Sequence, residues 1–228
     1  MNKTLKKNQP KELQEYIQKN YNVGIKHYKR VFSQREHSTE DIFYLFVFCV
    51  LVPGGKATRT KLAVDELKKI DFYTIDLNTD VIDLNSVISQ YIRFPQQKIQ
   101  RLINLKRIWP LFIEWLYTAM KYKIPATKIR ENIVKNLDGF GYKAASHVLR
   151  NLGYTDLAVI DTHILKYAQY WLPFASKSVQ YPGTKKQYLH MEDCFRQWSN
   201  SRFKLDPCIL DWFIWCKESG NNINSLEC

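Results

Sequence analysis

Hydrophobic residues recur at helical spacing along this chain, and strand-like alternation is hard to find. The most apolar run, from Ile42 to Leu51, is hydrophobic all round and follows a capping stretch that begins at Ser38. Such a run predicts a helix buried on every side. Glycine and proline are scarce, with eight of each, so long helices meet few interruptions. The pattern therefore predicts a nearly all-α protein.

Turn signals divide the rest of the chain into further helices. Pro53-Gly54-Gly55 ends the apolar helix, and Trp109-Pro110 predicts a break between a basic helix and an apolar one. Pro95 disfavours the α-helical conformation at Phe94, which predicts a turn that presents Arg93 and Phe94. Further helices are predicted within 1–20 and over 24–36, 57–69, 83–90, 96–108, 110–122, 126–136, 142–152, 194–200 and 207–218, with Asp161 as the N-cap of another.

A glycine hairpin, Leu137-Asp138-Gly139-Phe140-Gly141, separates two of these predicted helices. Glycines in such a turn can adopt positive φ and allow another group to approach the backbone closely. The amide groups of the turn and of the following helix N-terminus can then face a phosphate without reading any base. An ordinary αα-hairpin has the same pattern, so the hairpin alone leaves both possibilities open.

The composition of the chain indicates which kinds of binding partner to expect. The 228 residues can form one domain or two small helical lobes. Lys and Arg number 34 against 22 Asp and Glu, and the net charge of +12 favours nucleic acid or an acidic membrane surface as a partner, although a solvated basic surface is the simpler explanation. No apolar run is long enough to span a bilayer and no signal peptide is visible. We therefore expect an intracellular protein, in the cytoplasm or nucleoid, without a membrane partner.

The five cysteines include no CxxC pair, and the histidines show no paired metal-binding motif. This spacing argues against a zinc ribbon and against an iron–sulfur cluster. We expect no metal site and no dissociable cofactor.

Two ionisable residues follow the hairpin. Lys143 stands two residues after it on an apolar segment, and burial can lower the pKa of a Lys amine until it is nucleophilic. Attack at C1′ of a deoxyribose would displace the base, leave a Schiff base and permit strand cleavage by β-elimination. Asp161 could stabilise the developing oxocarbenium charge or help to deprotonate the amine. A phosphate contact for Lys143 and a simple helix cap for Asp161 are the alternatives, and a cap can also be catalytic.

The stretch GYKAASHVLRNLGY, followed by DLAVIDTHIL, resembles the helix-hairpin-helix superfamily of DNA glycosylases. Within it, the closest resemblance is to the type 2 8-oxoguanine DNA glycosylase/AP lyases, with weaker similarity over most of residues 40–220. The resemblance implies Lys143 as the catalytic lysine and Asp161 as the catalytic aspartate. It also implies a single glycosylase unit of two α-helical lobes with a DNA cleft between them. We expect one lobe to cover about 40–122, and the other 1–39 with 123–228, carrying the hairpin.

The family's way of reading a base follows from the same resemblance. Such an enzyme flips the nucleotide out of the duplex and stacks the base in a pocket. An aromatic of the RFP turn and a Trp of the last helix form that sandwich, which implies Phe94 and Trp215 here. Arg93 would reach toward the opposite strand or the vacated gap. Core packing is the alternative for both aromatic residues.

Two features depart from the family pattern. The superfamily often fills the vacated stack with a side chain after the first core helix, whereas this chain has Gly54-Gly55 there, followed by Lys56. We expect Lys56 or Arg59 to bind phosphate instead. Type 2 members typically end soon after a T-G-K motif, with a terminal Lys carboxylate that helps to recognise the base. This sequence continues past Gly220 to Cys228, whose carboxylate is the remaining candidate for base binding.

The sequence thus predicts a base-excision-repair DNA glycosylase with AP lyase activity that removes 8-oxoguanine from duplex DNA. The basic helices near 26–35 and 98–107 would attract DNA over long range in a salt-dependent way. One active site per chain means that a monomer suffices. The same chemistry on a different modified base and a non-catalytic, structure-specific DNA-binding module are the two alternatives. The residues expected to bind DNA are Leu137, Gly139, Phe140, Gly141, Lys56 and Arg93.

Overall fold

The computed structural model describes residues 9–32, 37–77, 80, 82–173 and 179–220. Eleven α-helices and no β-strand occur in these ranges, which confirms the predicted all-α class. No helix within the described ranges combines the length and apolarity that a membrane span requires. The helices are α1 (Gln9–Phe32), α2 (Thr39–Leu51), α3 (Ala57–Lys69), α4 (Leu84–Ile88), α5 (Pro95–Lys121), α6 (Ala126–Asn136), α7 (Tyr142–Asn151), α8 (Thr162–Leu165), α9 (Ala168–Trp171), α10 (Lys185–Trp198) and α11 (Pro207–Ser219), with a π-helical turn at Ser199–Phe203.

The chain divides into two compact units. The central unit is Glu36–Val148, and the flanking unit combines Met1–Arg35 with Leu149–Cys228. This division differs from the expected lobes in the position of residues 123–148. The sequence predicts them in the same lobe as the two ends of the chain, whereas here they belong to the central unit. Residues 123–148 include α6, the hairpin and the start of α7.

The contacts of the hairpin explain this difference. The Phe140 ring lies 5.5 Å from that of Phe46 on α2. Asn104 on α5 donates a hydrogen bond to the Asp138 carboxylate over 3.4 Å. The hairpin therefore packs on the helices of the central unit.

The core of the central unit is built on α2. Its N-terminus is closed by a capping box in which the Ser38 hydroxyl accepts from the Asp41 amide and the Asp41 carboxylate accepts from the Ser38 amide. The predicted apolar run is buried nearly all round, and Phe43 and Phe46 both meet the ring of Trp109 edge-on, at 5.1 and 5.4 Å. These contacts dock α2 on α5.

Helix α5 runs without interruption through Pro110, so the predicted break at Trp109-Pro110 is wrong. Proline removes one backbone donor and crowds the preceding turn. Aromatic packing holds the helix together on both sides of that defect, because Trp109 and Phe112 each contact Phe46. The packing of these aromatic side chains therefore outweighs the helix-breaking tendency of Pro110.

In the flanking unit, α1 is one helix of 24 residues where two were predicted. It packs on α11, since the Tyr28 ring meets Trp212 at 5.9 Å and the Tyr28 hydroxyl lies 2.8 Å from the Cys208 sulfur. The predicted helix at 194–200 is the end of the longer α10, which begins with a second capping box at Thr184. Helix α11 ends at Gly220 in the left-handed conformation.

Candidate active site

The two glycines of the hairpin differ in their conformation and in the space around them. Gly139 has φ of +83°, whereas Gly141 is outside the left-handed region and a Cβ on it would meet no atom within 4 Å. Leu137 and Phe140 are only 3% and 5% exposed, so their side chains belong to the core. Any contribution of these two residues to DNA binding is therefore limited to their backbone.

Lys143 is the second residue of α7, directly after the hairpin. The first amide groups of a helix have no acceptor within that helix, so this end is open to an anion. The Lys143 side chain is half-buried, and among the described residues of the central unit its ammonium makes no hydrogen bond or ion pair. Within the described part of this unit, Lys143 is thus a cation at a helix N-terminus that holds no other group in place.

Arg130 supports the first turn of α7, a role that no pattern in the sequence indicates. It is 1% exposed, donates to the Ser146 hydroxyl over 2.9 Å and lies 5.3 Å from the centre of the Tyr142 ring. The Tyr142 hydroxyl in turn donates to Glu131 over 2.8 Å. Tyr142 and Ser146 lie on either side of Lys143 in the helix, so these contacts fix the turn that carries it.

The predicted turn at Arg93-Phe94-Pro95 is present and strained. Phe94 has φ of +58°, which is uncommon for a bulky residue, and its side chain is 63% exposed. The Arg93 guanidinium lies 5.5 Å from the Phe94 ring and donates to the Gly54 carbonyl over 3.4 Å. Gly54 itself has φ of +75°, and a Cβ there would stand 3.8 Å from the Phe94 ring. The Phe94 turn thus packs against the Gly54 loop, with the aromatic face open to solvent.

The two cations next to that loop differ in availability. Lys56 is exposed at the N-cap of α3, and its side chain makes no capping hydrogen bond. Arg59 is also exposed, but its guanidinium donates to the Gln90 carbonyl. Lys56 is therefore the freer of the two to meet a phosphate.

Two lysines of the predicted basic helix at 98–107 point inward, which corrects their expected role in attracting DNA. Lys98 is 2% exposed and donates to the carbonyls of Leu51 and Pro53 at the end of α2. Burial lowers the Lys98 pKa to about 8, and the charges of Arg101 and Arg93 add to this effect. Lys106 donates to the Tyr73 carbonyl over 2.6 Å. Both lysines hold the fold together.

Asp161 in the flanking unit is the N-cap of α8, as predicted. Its Oδ1 accepts hydrogen bonds from the amides of His163 and Ile164, at 2.8 and 3.0 Å. Its Oδ2 accepts none from the described residues of that unit, and the side chain is half-buried. One oxygen anchors the carboxylate and the other remains available.

Trp215 is half-buried on α11, whereas its neighbours Trp212, Phe213, Ile214 and Cys216 are each 1% exposed or less. Part of the Trp215 side chain is therefore accessible beside residues that are buried in the core. The other predicted base-binding residue, Cys228, lies outside the described residues, as does the chain beyond Gly220.

A family model described as 8-oxoguanine DNA glycosylase matches residues 21–203, most of the chain. The chain belongs to the 8-oxoguanine DNA glycosylase family. This membership confirms the resemblance, and the matched range spans the hairpin, Lys143 and Asp161.

Several relatives of this chain are described as 8-oxoguanine DNA glycosylase/AP lyase. The protein of Fusobacterium nucleatum is 27% identical over 93% of this chain and 95% of its own length. That of Metallosphaera sedula is 33% identical over 83% of this chain and 88% of its own. The protein of Thermoplasma acidophilum is 42% identical, but only over 94 residues, which are 41% of this chain and 43% of that protein.

Solved structures of family members have the same fold. The crystal structure of the 8-oxoguanine DNA glycosylase of Thermotoga maritima superposes with a TM-score of 0.74 at 25% identity, covering 93% of this chain and 96% of that one. A Methanocaldococcus jannaschii 8-oxoguanine glycosylase/lyase, in complex with a 15mer DNA containing 8-oxoguanine, gives 0.71 at 24% identity, covering 92% and 98% of the two chains.

Proposed function

We propose that this chain removes 8-oxoguanine from duplex DNA and then cleaves the strand at the abasic site it has made. The observation that carries the proposal is the family match over residues 21–203, which contains Lys143 and Asp161. Each chain has both residues, so a monomer is sufficient for the reaction.

Lys143 is the nucleophile in this proposal. Its Nζ, once deprotonated, forms a bond to C1′ of the damaged nucleotide while the bond from C1′ to the base breaks and the base departs with the electron pair. Loss of a proton from nitrogen and opening of the sugar ring give a Schiff base. Removal of a proton from C2′ then expels the 3′ phosphate by β-elimination. Lys143 suits this role because its ammonium has no partner among the described residues of its unit and follows the hairpin directly.

Asp161 is the assisting carboxylate. Its Oδ1 is held by the amides of His163 and Ile164, which fixes the orientation of the group. The free Oδ2 can then stabilise positive charge that develops on the sugar, or accept a proton from the attacking amine. A carboxylate that is already oriented loses little free energy to reorganisation during the reaction.

The remaining assignments concern DNA and base. The backbone of Leu137 to Gly141 and the start of α7 bind phosphate, because Gly141 leaves the approach open. Lys56 and Arg93 are exposed cations for further DNA contact. Phe94 and Trp215 each offer aromatic surface to a flipped base.

Trapping of the Schiff base tests this proposal. The protein is incubated with a duplex that carries a single 8-oxoguanine, and borohydride is added to reduce the imine to a stable covalent adduct. We expect an adduct with wild type and none with Lys143→Gln. Lys128→Gln is the matched control, because Lys128 is an exposed lysine on α6 of the same unit, and its adduct should match that of wild type.

A parallel duplex with a preformed abasic site separates the two activities. If wild type forms an adduct there but releases no 8-oxoguanine, the lyase assignment stands and the assigned base is wrong. If neither duplex gives an adduct, the lysine mechanism fails and the alternative of a DNA-binding module gains support.

A further inference from the structure

The segment that leads into Asp161 is buried but belongs to no helix or strand. Leu157, Ala158, Val159 and Ile160 are at most 4% exposed. Backbone amides and carbonyls that are buried need hydrogen-bond partners, and this segment has no ladder or helix to supply them. Its hydrogen bonds therefore show what holds it in place.

Three side chains supply those partners. The amide of Ala158 donates to Glu192 over 3.1 Å, and the amide of Val159 donates to Asp211 over 3.1 Å. The Tyr188 hydroxyl accepts from the Ile160 amide at 3.2 Å and donates to the Ala158 carbonyl at 2.9 Å. We call Tyr188, Glu192 and Asp211 the 158–160 cradle.

The members of the cradle are buried and come from two helices, α10 and α11. Tyr188 and Glu192 stand one turn apart on α10, and both are at most 3% exposed. Asp211 on α11 is 1% exposed and pairs with Arg150 over 3.1 Å. Asp211 also stands one turn before Trp215, so one helix carries both a cradle residue and the half-buried Trp215.

We infer that the 158–160 cradle, with Asp211 as its central member, positions Asp161 for base release. This inference rests on the proposed function of Asp161 and adds residues that touch neither DNA nor base. Asp161 follows Ile160 directly in extended conformation, with φ of −119° and ψ of −176°, so a shift of the held segment moves its carboxylate. A catalytic group displaced by a fraction of an ångström loses much of its effect.

The electrostatic surroundings of Asp211 also include Asp161. Burial raises the pKa of Asp211, its pairing with Arg150 opposes the rise, and the negative charge of Asp161 adds to it. The simpler explanation is that the cradle only satisfies buried backbone groups. In that case, loss of a cradle residue would not lower the rate of base release through Asp161.

The test compares Asp211→Asn with Asp206→Asn. Asp206 precedes α11, is exposed and makes no capping hydrogen bond, so the same substitution there should change nothing. In single-turnover reactions on an 8-oxoguanine duplex, we expect Asp211→Asn to slow base release roughly tenfold or more, with the dissociation constant for DNA within about twofold of wild type. Normal base release by a folded Asp211→Asn protein would overturn the inference.

A double variant checks that Asp211 acts through Asp161. Asp161→Asn alone should slow base release, and adding Asp211→Asn should change the residual rate by no more than about twofold. A further tenfold loss in that background would mean that Asp211 serves another role, and the inference would be wrong. If Asp211→Asn does not fold, Tyr188→Phe takes its place with the same two expectations, and its having a normal rate would count against the cradle. An inactive wild type would instead refute the proposed function itself.

Discussion

The Arg101 side chain occupies the space where a side chain on Gly139 would stand. A Cβ on Gly139 would come within 2.5 Å of Arg101 Cδ and 2.8 Å of its Nε. The neighbouring Asp138 carboxylate lies 4.0 Å from the same Nε. Gly139 also has positive φ, so two independent constraints require glycine at this point of the hairpin.

Gly139→Ala should therefore destabilise the fold. The left-handed conformation costs a non-glycine residue roughly 1–2 kcal/mol, and Arg101 must also move aside. We expect the free energy of unfolding, measured by urea denaturation, to fall by about 1–3 kcal/mol. An unchanged free energy would mean that the hairpin adopts another conformation.

Gly141→Ala is the matched substitution, and it should lower DNA affinity while leaving stability unchanged. Its Cβ meets no atom and its φ is ordinary, so stability should stay within about 0.5 kcal/mol of wild type. DNA affinity should fall roughly tenfold, since the new methyl group would obstruct the proposed approach of phosphate to the backbone. Equilibrium binding to an 8-oxoguanine duplex measures this, and unchanged affinity would contradict phosphate binding by the hairpin backbone.

Local sequence signals were reliable where helix boundaries depend on neighbouring residues. The bounds Ala57–Lys69 and Ala126–Asn136 are those predicted, and the caps at Ser38 and Asp161 are present. The break expected at Pro110 is absent because aromatic packing from α2, distant in sequence, holds α5 together. Such packing leaves no mark in the local pattern.

The candidate site divides in the same way. The hairpin and the Phe94 turn could be predicted, because glycine and proline restrict the backbone where they stand. The inward positions of Lys98, Arg130 and Asp211 could not be predicted. A charged residue becomes buried only when a distant segment offers it partners, and charge alone suggests a solvated surface.

Substitution of Asp161 should separate capping from catalysis. Asn retains a side-chain oxygen that can accept from the amides of His163 and Ile164, so Asp161→Asn should change stability little. Asp161→Ala loses the cap and should lower the free energy of unfolding by about 1 kcal/mol. Both variants should bind DNA but release base far more slowly than wild type. If Asp161→Asn retained the wild-type rate in single-turnover assays, Asp161 would be only a cap.

Phe94 should be important for activity but contribute little to stability. Because it is 63% exposed at φ of +58°, Phe94→Gly relieves backbone strain and removes little packing. We expect the free energy of unfolding to stay level or change by less than about 1 kcal/mol, while base excision slows. Leu111→Ala is the control, since Leu111 is 79% exposed on α5 of the same unit and should affect neither quantity. An equal loss of activity in both variants would remove Phe94 from base binding.

The buried amine of Lys98 predicts a specific dependence of stability on pH. Burial lowers its pKa from 10.5 to about 8 in the folded chain, so between these values the unfolded chain holds a proton that the folded chain has released. Stability therefore rises with pH in this window. Below pH 8 both states are protonated, and the difference between wild type and Lys98→Met should be constant. From pH 8 to 10, the free energy of unfolding of wild type, measured by urea denaturation, should rise by roughly 2 kcal/mol relative to that of Lys98→Met. Lys61→Met, which changes an exposed lysine of the same unit, is the control, and its free energy of unfolding should follow that of wild type across this pH range. If the difference in free energy of unfolding between wild type and Lys98→Met stayed constant from pH 8 to 10, the pKa of Lys98 would be the same in the folded and unfolded chains.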